Sequence, residues 1–170
     1  GIGIYSLTTP EHRLVLTRVY SLANKPSSIA YDPRTDRVYV TFSLIDELRV
    51  YDPETWTRLE RIPTSYQDPT DPGYGGHGPA VLGSCVFVSN YLDESVTVVQ
   101  DGSCVETDLA AGPPAGPYRI YMPTLRSDFS GARRIVTIPV GGRPLGMTAV
   151  GSRLFVTLPD EQQVVVIHTA

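Results

Sequence analysis

His77 is the residue whose type and setting best suit chemistry, because it stands between two glycines in the segment Gly76-His-Gly. An imidazole titrates near neutral pH, so it can act as a general base or as a metal ligand. The corresponding positions of two similar segments hold Ser27 and Leu145, so one histidine cannot complete a metal site within one chain. The favoured interpretation is that His77 is a polar residue that lines a solvent-filled channel of the fold and takes no part in chemistry.

The loop before His77 holds two carboxylates, Asp68 and Asp71, in the run Tyr66-Gln-Asp-Pro-Thr-Asp-Pro-Gly-Tyr-Gly-Gly. Carboxylate oxygens suit Ca²⁺, but the alternating acidic spacing of a dedicated calcium loop is absent. Asp-Pro pairs are also ordinary turn formers. We therefore expect this loop to form turns at the rim of the fold, with Asp68, Asp71 and Tyr74 as candidate binding residues. We predict neither a metal nor a cofactor.

The chain contains two cysteines, Cys85 and Cys104. Cys85 begins a predicted strand, and Cys104 follows the next strand after an Asp101-Gly turn. In the simplest register they lie two strands apart, and at about 4.8 Å per strand this needs a bulge or a short return of the chain. We favour a disulfide, since the predicted setting is extracellular. Two buried thiols are the alternative.

Several function classes find no support in the sequence. It has no Ser-His-Asp order, nucleophile elbow, phosphate loop or paired-histidine motif. The net charge is −4 and no basic run occurs, so a nucleic-acid partner is not expected. No stretch approaches the ~20 apolar residues of a membrane span. The chain starts at Gly1, which suggests a removed signal segment or a fragment.

Three segments share one pattern, in which a short apolar strand, a turn and an aromatic, β-branched strand follow one another. They begin at Pro26, Gly76 and Pro144. A third Val-rich strand follows each of them, as in Ser95-Val-Thr-Val-Val-Gln. Alternating β-branched runs separated by Asp-Pro and Asp-Gly pairs predict hairpin-connected strands, and an internal repeat of this kind predicts a β-propeller or a similar array.

The repeated strand resembles the Tyr-Val-Thr-Asn signature of the YVTN β-propeller family. The resemblance rests on Arg37-Val-Tyr-Val-Thr-Phe, Cys85-Val-Phe-Val-Ser-Asn and Arg153-Leu-Phe-Val-Thr-Leu. The run Ile138-Pro-Val-Gly-Gly-Arg-Pro is similar to that family's junction between blades, and it holds the candidate binding residue Arg143. The resemblance implies an all-β propeller of four-stranded blades, about three to four in this chain, and it says little about function.

The predicted blade-like units cover residues 23–63, 76–108 and 141–170, with 1–22 as partner strands and an insertion at 109–132. Residues 118–122 and 134–140 predict a second pair of third and outer strands. A propeller needs four to eight blades. We therefore expect either closure of a small ring by the N-terminal strands, or pairing of open blades with another chain, as a ring shared between subunits or as a fibre.

The favoured functional hypothesis is a non-catalytic extracellular or cell-surface protein that binds partners or self-assembles. Its working parts would be its rim loops and open blade edges, and its partner would be a second copy or another protein chain. The alternative is an enzyme or an enzyme subunit with a site on the propeller axis near His77, assisted by Asp68 or Asp71. A further alternative is that the chain is part of a longer propeller.

Overall fold

The computed structural model describes residues 1–8, 13–64, 76–100, 124–130 and 133–168. They form an all-β structure of antiparallel strands in four sheets. The strands are β1 (Ile2–Thr8), β2 (Arg13–Tyr20), β3 (Pro26–Asp32), β4 (Arg37–Phe42), β5 (Glu47–Tyr51), β6 (Arg58–Pro63), β7 (Gly76–Leu82), β8 (Cys85–Asn90), β9 (Ser95–Gln100), β10 (Thr124–Ser130), β11 (Arg133–Pro139), β12 (Met147–Val150), β13 (Arg153–Leu158) and β14 (Gln163–His168).

Neighbouring strands of the sequence pair with each other almost throughout. Sheet 1 is the hairpin β1-β2, sheet 2 has the order β3-β4-β5-β6, sheet 3 the order β7-β8-β9-β11-β10, and sheet 4 the order β12-β13-β14. Two-residue turns join the first two strands of sheets 3 and 4, and Gly83 (φ 57°) and Gly151 (φ 58°) open these turns. A positive φ at the first turn position is what type II′ hairpins require, and glycine adopts it without strain.

Sheet 3 takes its outer strand from beyond the predicted insertion. Residues 134–140 were expected to pair with 118–122, which lie outside the described residues. In the structure β11 pairs along β9, with Ile138 opposite Val96 and Val136 opposite Val98. Cross-strand pairs of β-branched residues stabilise a sheet, which accounts for this attachment. The strand β10, inside the predicted insertion at 109–132, then forms a fifth strand on the far side of β11.

The four sheets stack face to face, and their cores lie between consecutive sheets. Between sheets 2 and 3 the core includes Tyr39, Val50 and Val88. Between sheets 3 and 4 it includes Phe87 and Leu154. Every side chain of β8 and β9 is buried, because sheet 3 is covered on both faces. This explains why these strands lack the polar alternation of a sheet with one wet face.

A hydroxyl at one repeated position joins the second strand of a sheet to its first strand and onward to the next sheet. We call Thr41, Ser89 and Thr157 the hydroxyl positions. Ser89 Oγ accepts from the Gly78 N–H (3.0 Å) and donates to the carbonyl oxygen of Leu145, at the start of sheet 4 (3.2 Å).

In sheet 2 the link to the next sheet passes through a serine. The hydroxyl oxygens of Thr41 and Ser27 lie 3.1 Å apart, and Ser27 donates to the carbonyl oxygen of Gly76, at the start of sheet 3 (2.8 Å). Gly76 also lies close to the side chain of Thr41 in sheet 2, because an added Cβ would come within 3.2 Å of Thr41 Cγ2. The first strands of successive sheets are therefore held in close contact.

We expect Ser89→Ala to destabilise the fold by about 1–2 kcal/mol, because it removes two partly buried hydrogen bonds, from the Gly78 N–H and to the Leu145 carbonyl oxygen. Urea unfolding followed by Trp56 fluorescence measures this. Thr157→Ala is the matched control, since Thr157 bonds to Gly146 at an exposed position, where water replaces the lost bonds. Equal losses in both variants would contradict the bridging role of Ser89.

Candidate functional site

Two of the five predicted binding residues meet at one end of sheets 3 and 4. His77 lies near the start of β7, and Arg143 lies between β11 and β12. The other three, Asp68, Asp71 and Tyr74, lie outside the described residues. Strand direction alternates within each sheet, so the start of β7, the end of β8 and the β13–β14 turn all reach the same end.

His77 and Arg143 both contact Tyr91, the first residue after β8. The His77 ring packs edge-on against the Tyr91 ring, with the centroids 5.3 Å apart. The Arg143 guanidinium carbon lies 5.6 Å from the centroid of the same ring. Tyr91 donates a hydrogen bond from its hydroxyl to Asp160 Oδ2 (3.2 Å), and Arg143 Nη1 lies 3.7 Å from that oxygen. We call these four residues the rim cluster.

The side chains of the rim cluster are of the kinds that bind a partner. The side chains of Arg143 and Asp160 are each about half exposed, so their ion pair contributes little to stability. What it does is hold a guanidinium, with its fixed donors, over an aromatic ring at the surface. None of the four side chains is a hydroxyl or thiol of the kind that serves with a base as an activated nucleophile, apart from the phenol of Tyr91. The cluster therefore suits contacts with a polar or anionic partner.

Sequence reasoning missed Tyr91 and Asp160. Both occupy turns that the residue pattern marks only as connections between strands. A usable signal was the strand order: in an antiparallel meander the turn after the second strand returns to the end where the first strand begins. Applied to β7–β8 and to β12–β13, this rule places the residues 91–94 and 159–162 beside His77.

The described residues contain no group of three or more His, Cys, Asp or Glu side chains arranged to hold a metal ion. Within the same ranges, no helix is long and apolar enough to cross a membrane. Comparison with known proteins returned neither a matching family model nor a significantly similar curated protein.

The second feature of functional interest is the outer edge of β14. The third strands β5 and β9 lie between two neighbours, whereas β14 is hydrogen-bonded only to β13 among the described strands. At equivalent positions Leu48 and Val96 are fully buried, but Val164 is 52% exposed. Among the described strands, β14 therefore has one backbone edge without a hydrogen-bonded neighbour and an apolar side chain, Val164, on its uncovered face. An open edge of this kind is the usual template for addition of another strand.

Sheet 2 contains a charged network around Glu47, at the start of its third strand. Glu47 accepts hydrogen bonds from Arg49 Nε (3.0 Å) and from Arg61 Nη2. Arg49 is buried, and its guanidinium stacks over the Phe42 ring. Burial raises the pKa of Glu47, but the hydrogen bonds from Arg61 and Arg49 outweigh it, so the pKa lies below its ordinary value. This network links the third strand of sheet 2, β5, to its outer strand, β6.

We expect Glu47→Gln to destabilise the protein by about 1–2 kcal/mol at pH 7, because Arg49 loses its charged partner, while Arg61 stays solvated. The carboxylate contributes stability above its unfolded pKa of about 4.3, and this contribution is lost as the pH falls through the lower folded pKa. Denaturant unfolding across this range should show a weaker acid dependence in Glu47→Gln. Glu54→Gln, at an exposed turn position, should match the parent; an unchanged acid slope in Glu47→Gln would refute the assignment.

The predicted disulfide has one partner at a suitable place. Cys85 is fully buried at the start of β8 and lies opposite Gln100, the last residue of β9. Cys104 follows shortly after Gln100 in the sequence and lies outside the described residues. The end of β9, after which Cys104 follows in the sequence, therefore lies on the strand adjacent to that of Cys85, and not two strands away.

We expect the denatured, unreduced protein to resist alkylation by iodoacetamide, and to take up label at both cysteines after reduction. Intact-mass measurement checks this, and Cys85→Ser, which should expose one reactive thiol, is the control. Reduction should also lower stability by about 3 kcal/mol, the usual effect of a bridge across a short loop. Full labelling without reductant would rule the bridge out.

Proposed function

We propose that the chain is built as a β-propeller of the type that the YVTN resemblance implies, with sheets 2, 3 and 4 as successive blades. The support is the radial repetition of one contact: β3 packs beside β7, and β7 beside β12. A hydroxyl bonds to a carbonyl oxygen of the next sheet at both junctions, that of Ser89 directly and that of Thr41 through Ser27. Blades that pack through both faces around such an inner line of strands are what propeller architecture requires.

The proposed function is non-catalytic. The chain acts outside the cell or at its surface as a binding and assembly protein, and its working surface is the open edge of β14. One observation carries this proposal: β14 is hydrogen-bonded to β13 alone among the described strands. Val164, on the face of sheet 4 turned away from sheet 3, is half exposed, while the residues at its position in the two preceding sheets are buried against the following sheet. A third blade strand that ends its sheet has a free ladder and apolar side chains to offer, and a further strand would satisfy both.

The rim cluster is the second candidate binding surface. It favours recognition of a polar or anionic partner, because Arg143 is already positioned over Tyr91 and so loses little freedom on binding. The enzymatic alternative would require a proton-transfer partner for His77, and in the described part of the chain its ring contact is with Tyr91. The rim is therefore proposed as a site of recognition.

We expect the purified chain to associate in solution, and Val164→Lys to weaken this association. A lysine at an interior position of the new strand pair brings a charge into a surface that must lose its water, which costs binding free energy. Light scattering after size-exclusion chromatography, over a wide concentration range, measures the effect. The parent should exceed its chain mass of 18.6 kDa, and the variant should approach it.

Leu59→Lys is the matched control. Leu59 is 47% exposed on β6, the outer strand of sheet 2, so the charge change and exposure resemble those at Val164 but the place differs. It should associate like the parent. A parent protein that stays monomeric at every concentration would remove the assembly proposal.

A further inference from the structure

The hairpin of sheet 1 has a structural counterpart inside sheet 3. In both places two antiparallel strands are followed by the first strand of the next sheet: β1-β2 leads into β3, and β10-β11 leads into β12. In sheet 3 the second strand of the hairpin, β11, attaches to the third strand, β9, and β10 lies outside it. Sheet 3 therefore shows how such a hairpin completes a blade.

Sheets 1 and 4 are complementary. Sheet 4 has the three inner strands of a five-stranded sheet such as sheet 3, and sheet 1 has the two outer strands. Sheet 4 consists of a first, second and third strand, and within the described ranges its third strand has no neighbour on its outer edge. Sheet 1 consists of a hairpin whose outward face is apolar and exposed, with Tyr5 at 56%, Leu16 at 49% and Val19 at 58%. Completion of β14 by a β1-β2 hairpin would give the order β12-β13-β14-β2-β1, which is the order of sheet 3.

We propose that the hairpin which completes sheet 4 comes from a second copy of this chain, and that two copies exchange hairpins to close one ring. This inference rests on the proposed function, since it takes the edge of β14 as the association surface and names its partner. The described strands of one copy form three proposed blades, fewer than the four to eight of known propellers, whereas those of two copies form six. Three copies would exceed that range, so the reciprocal dimer is the closed form that fits.

The residue pairing between β2 of one copy and β14 of the other follows from the pairing of β11 with β9 in sheet 3. Pro26 and Pro144 stand at equivalent places after the two hairpins, as their sequence repeats show. Ile138 pairs with Val96, so Tyr20 should lie opposite Val164, and Val19 opposite Val165. Charged residues fit this outer strand, because Glu60 of β6 holds the place in sheet 2 that Arg18 would hold in sheet 4.

The proposed junction between β2 and β14 can form a backbone hydrogen bond that sheets 2 and 3 both contain. In sheets 2 and 3 the residue just after the outer strand donates its N–H to the last residue of the preceding turn, Thr64 to Asp46 (3.0 Å) and Val140 to Glu94 (2.9 Å). Leu22 and Gln162 occupy these places in sheets 1 and 4. Gln162 has the left-handed backbone that Glu94 also adopts, with φ of 54° and 51°. The turn of sheet 4 is thus already shaped to accept that bond.

The orientation of the hairpin also agrees with exchange. Tyr20 stacks on Trp56 of sheet 2, with ring centroids 4.9 Å apart, so this side of β2 faces the following sheet of its own chain. The opposite side, with Val19, is exposed. In sheet 3 the same alternation holds, because Ile138 faces the following sheet. The hairpin is therefore anchored to sheet 2 while its own free edge and Val19 remain available to β14 of another copy.

Mixing two complementary variants tests the exchange. Val164→Lys damages the acceptor edge and keeps an intact hairpin, and Val19→Lys damages the hairpin and keeps an intact edge. Each alone should raise the apparent dimer dissociation constant by more than about tenfold. An equimolar mixture should recover a heterodimer through its one intact junction. Light scattering gives the masses, and circular dichroism with cooperative unfolding verifies that each variant is folded.

The outcomes separate the inference from the proposed function. If Val19→Lys stays dimeric while Val164→Lys does not, β14 is the association edge but its partner is not the hairpin, and the exchange is overturned. If the parent is monomeric throughout, both proposals fail. As a second readout, oxidation should cross-link Ser21→Cys to Gln163→Cys between copies, since these positions correspond to the paired Pro139 and Ser95. A dimer without this cross-link contradicts the proposed register.

Discussion

The contact on which this structure depends is the hydrogen bond from a second-strand hydroxyl, or its serine relay, to the first strand of the following sheet. Ser89 reaches Leu145 directly, and Thr41 works through Ser27 to reach Gly76. A hydroxyl both donates and accepts, so one side chain satisfies an N–H of its own sheet and a carbonyl of the next. Apolar packing alone is not directional, whereas this contact sets the spacing and order of the first strands.

The burial of whole strands follows from that arrangement. Because sheet 3 is held between sheets 2 and 4, both faces of β8 and β9 must be apolar or internally hydrogen-bonded. Thr97 illustrates the second case, since its hydroxyl accepts from the Asn90 amide (2.8 Å) and donates to the carbonyl oxygen of Thr64. Sheet 4 carries the same residue pattern on a face and an edge that are exposed. The exposed valines of sheet 4 thus follow the sequence pattern of a sheet that is covered on both faces, but they lie where no further sheet covers them among the described residues.

Much of the local structure was predictable from sequence. Runs rich in Val, Ile and Tyr marked β4, β5, β8 and β9, and each repeated segment included a turn between its first two strands, where Gly83 and Gly151 lie. The attachment of β11 to β9 was not predictable in the same way, because it joins residues on either side of an insertion. The site was predicted in part: His77 and Arg143 came from repeat position, while Tyr91 and Asp160 depended on three-dimensional strand order. Long-range pairing is decided by packing, which a local pattern does not report.

The central proposal is that β14, the third strand of sheet 4, pairs with a strand of another copy of the chain. Amide hydrogen exchange of 163–168, compared with 95–100 at increasing protein concentration, tests this claim most directly. At low concentration β14 should exchange faster than β9, since one side of its ladder is open. Protection of β14 should then rise with concentration while that of β9 stays constant. Protection of β14 equal to that of β9 at the lowest concentration, and independent of concentration, would contradict the account.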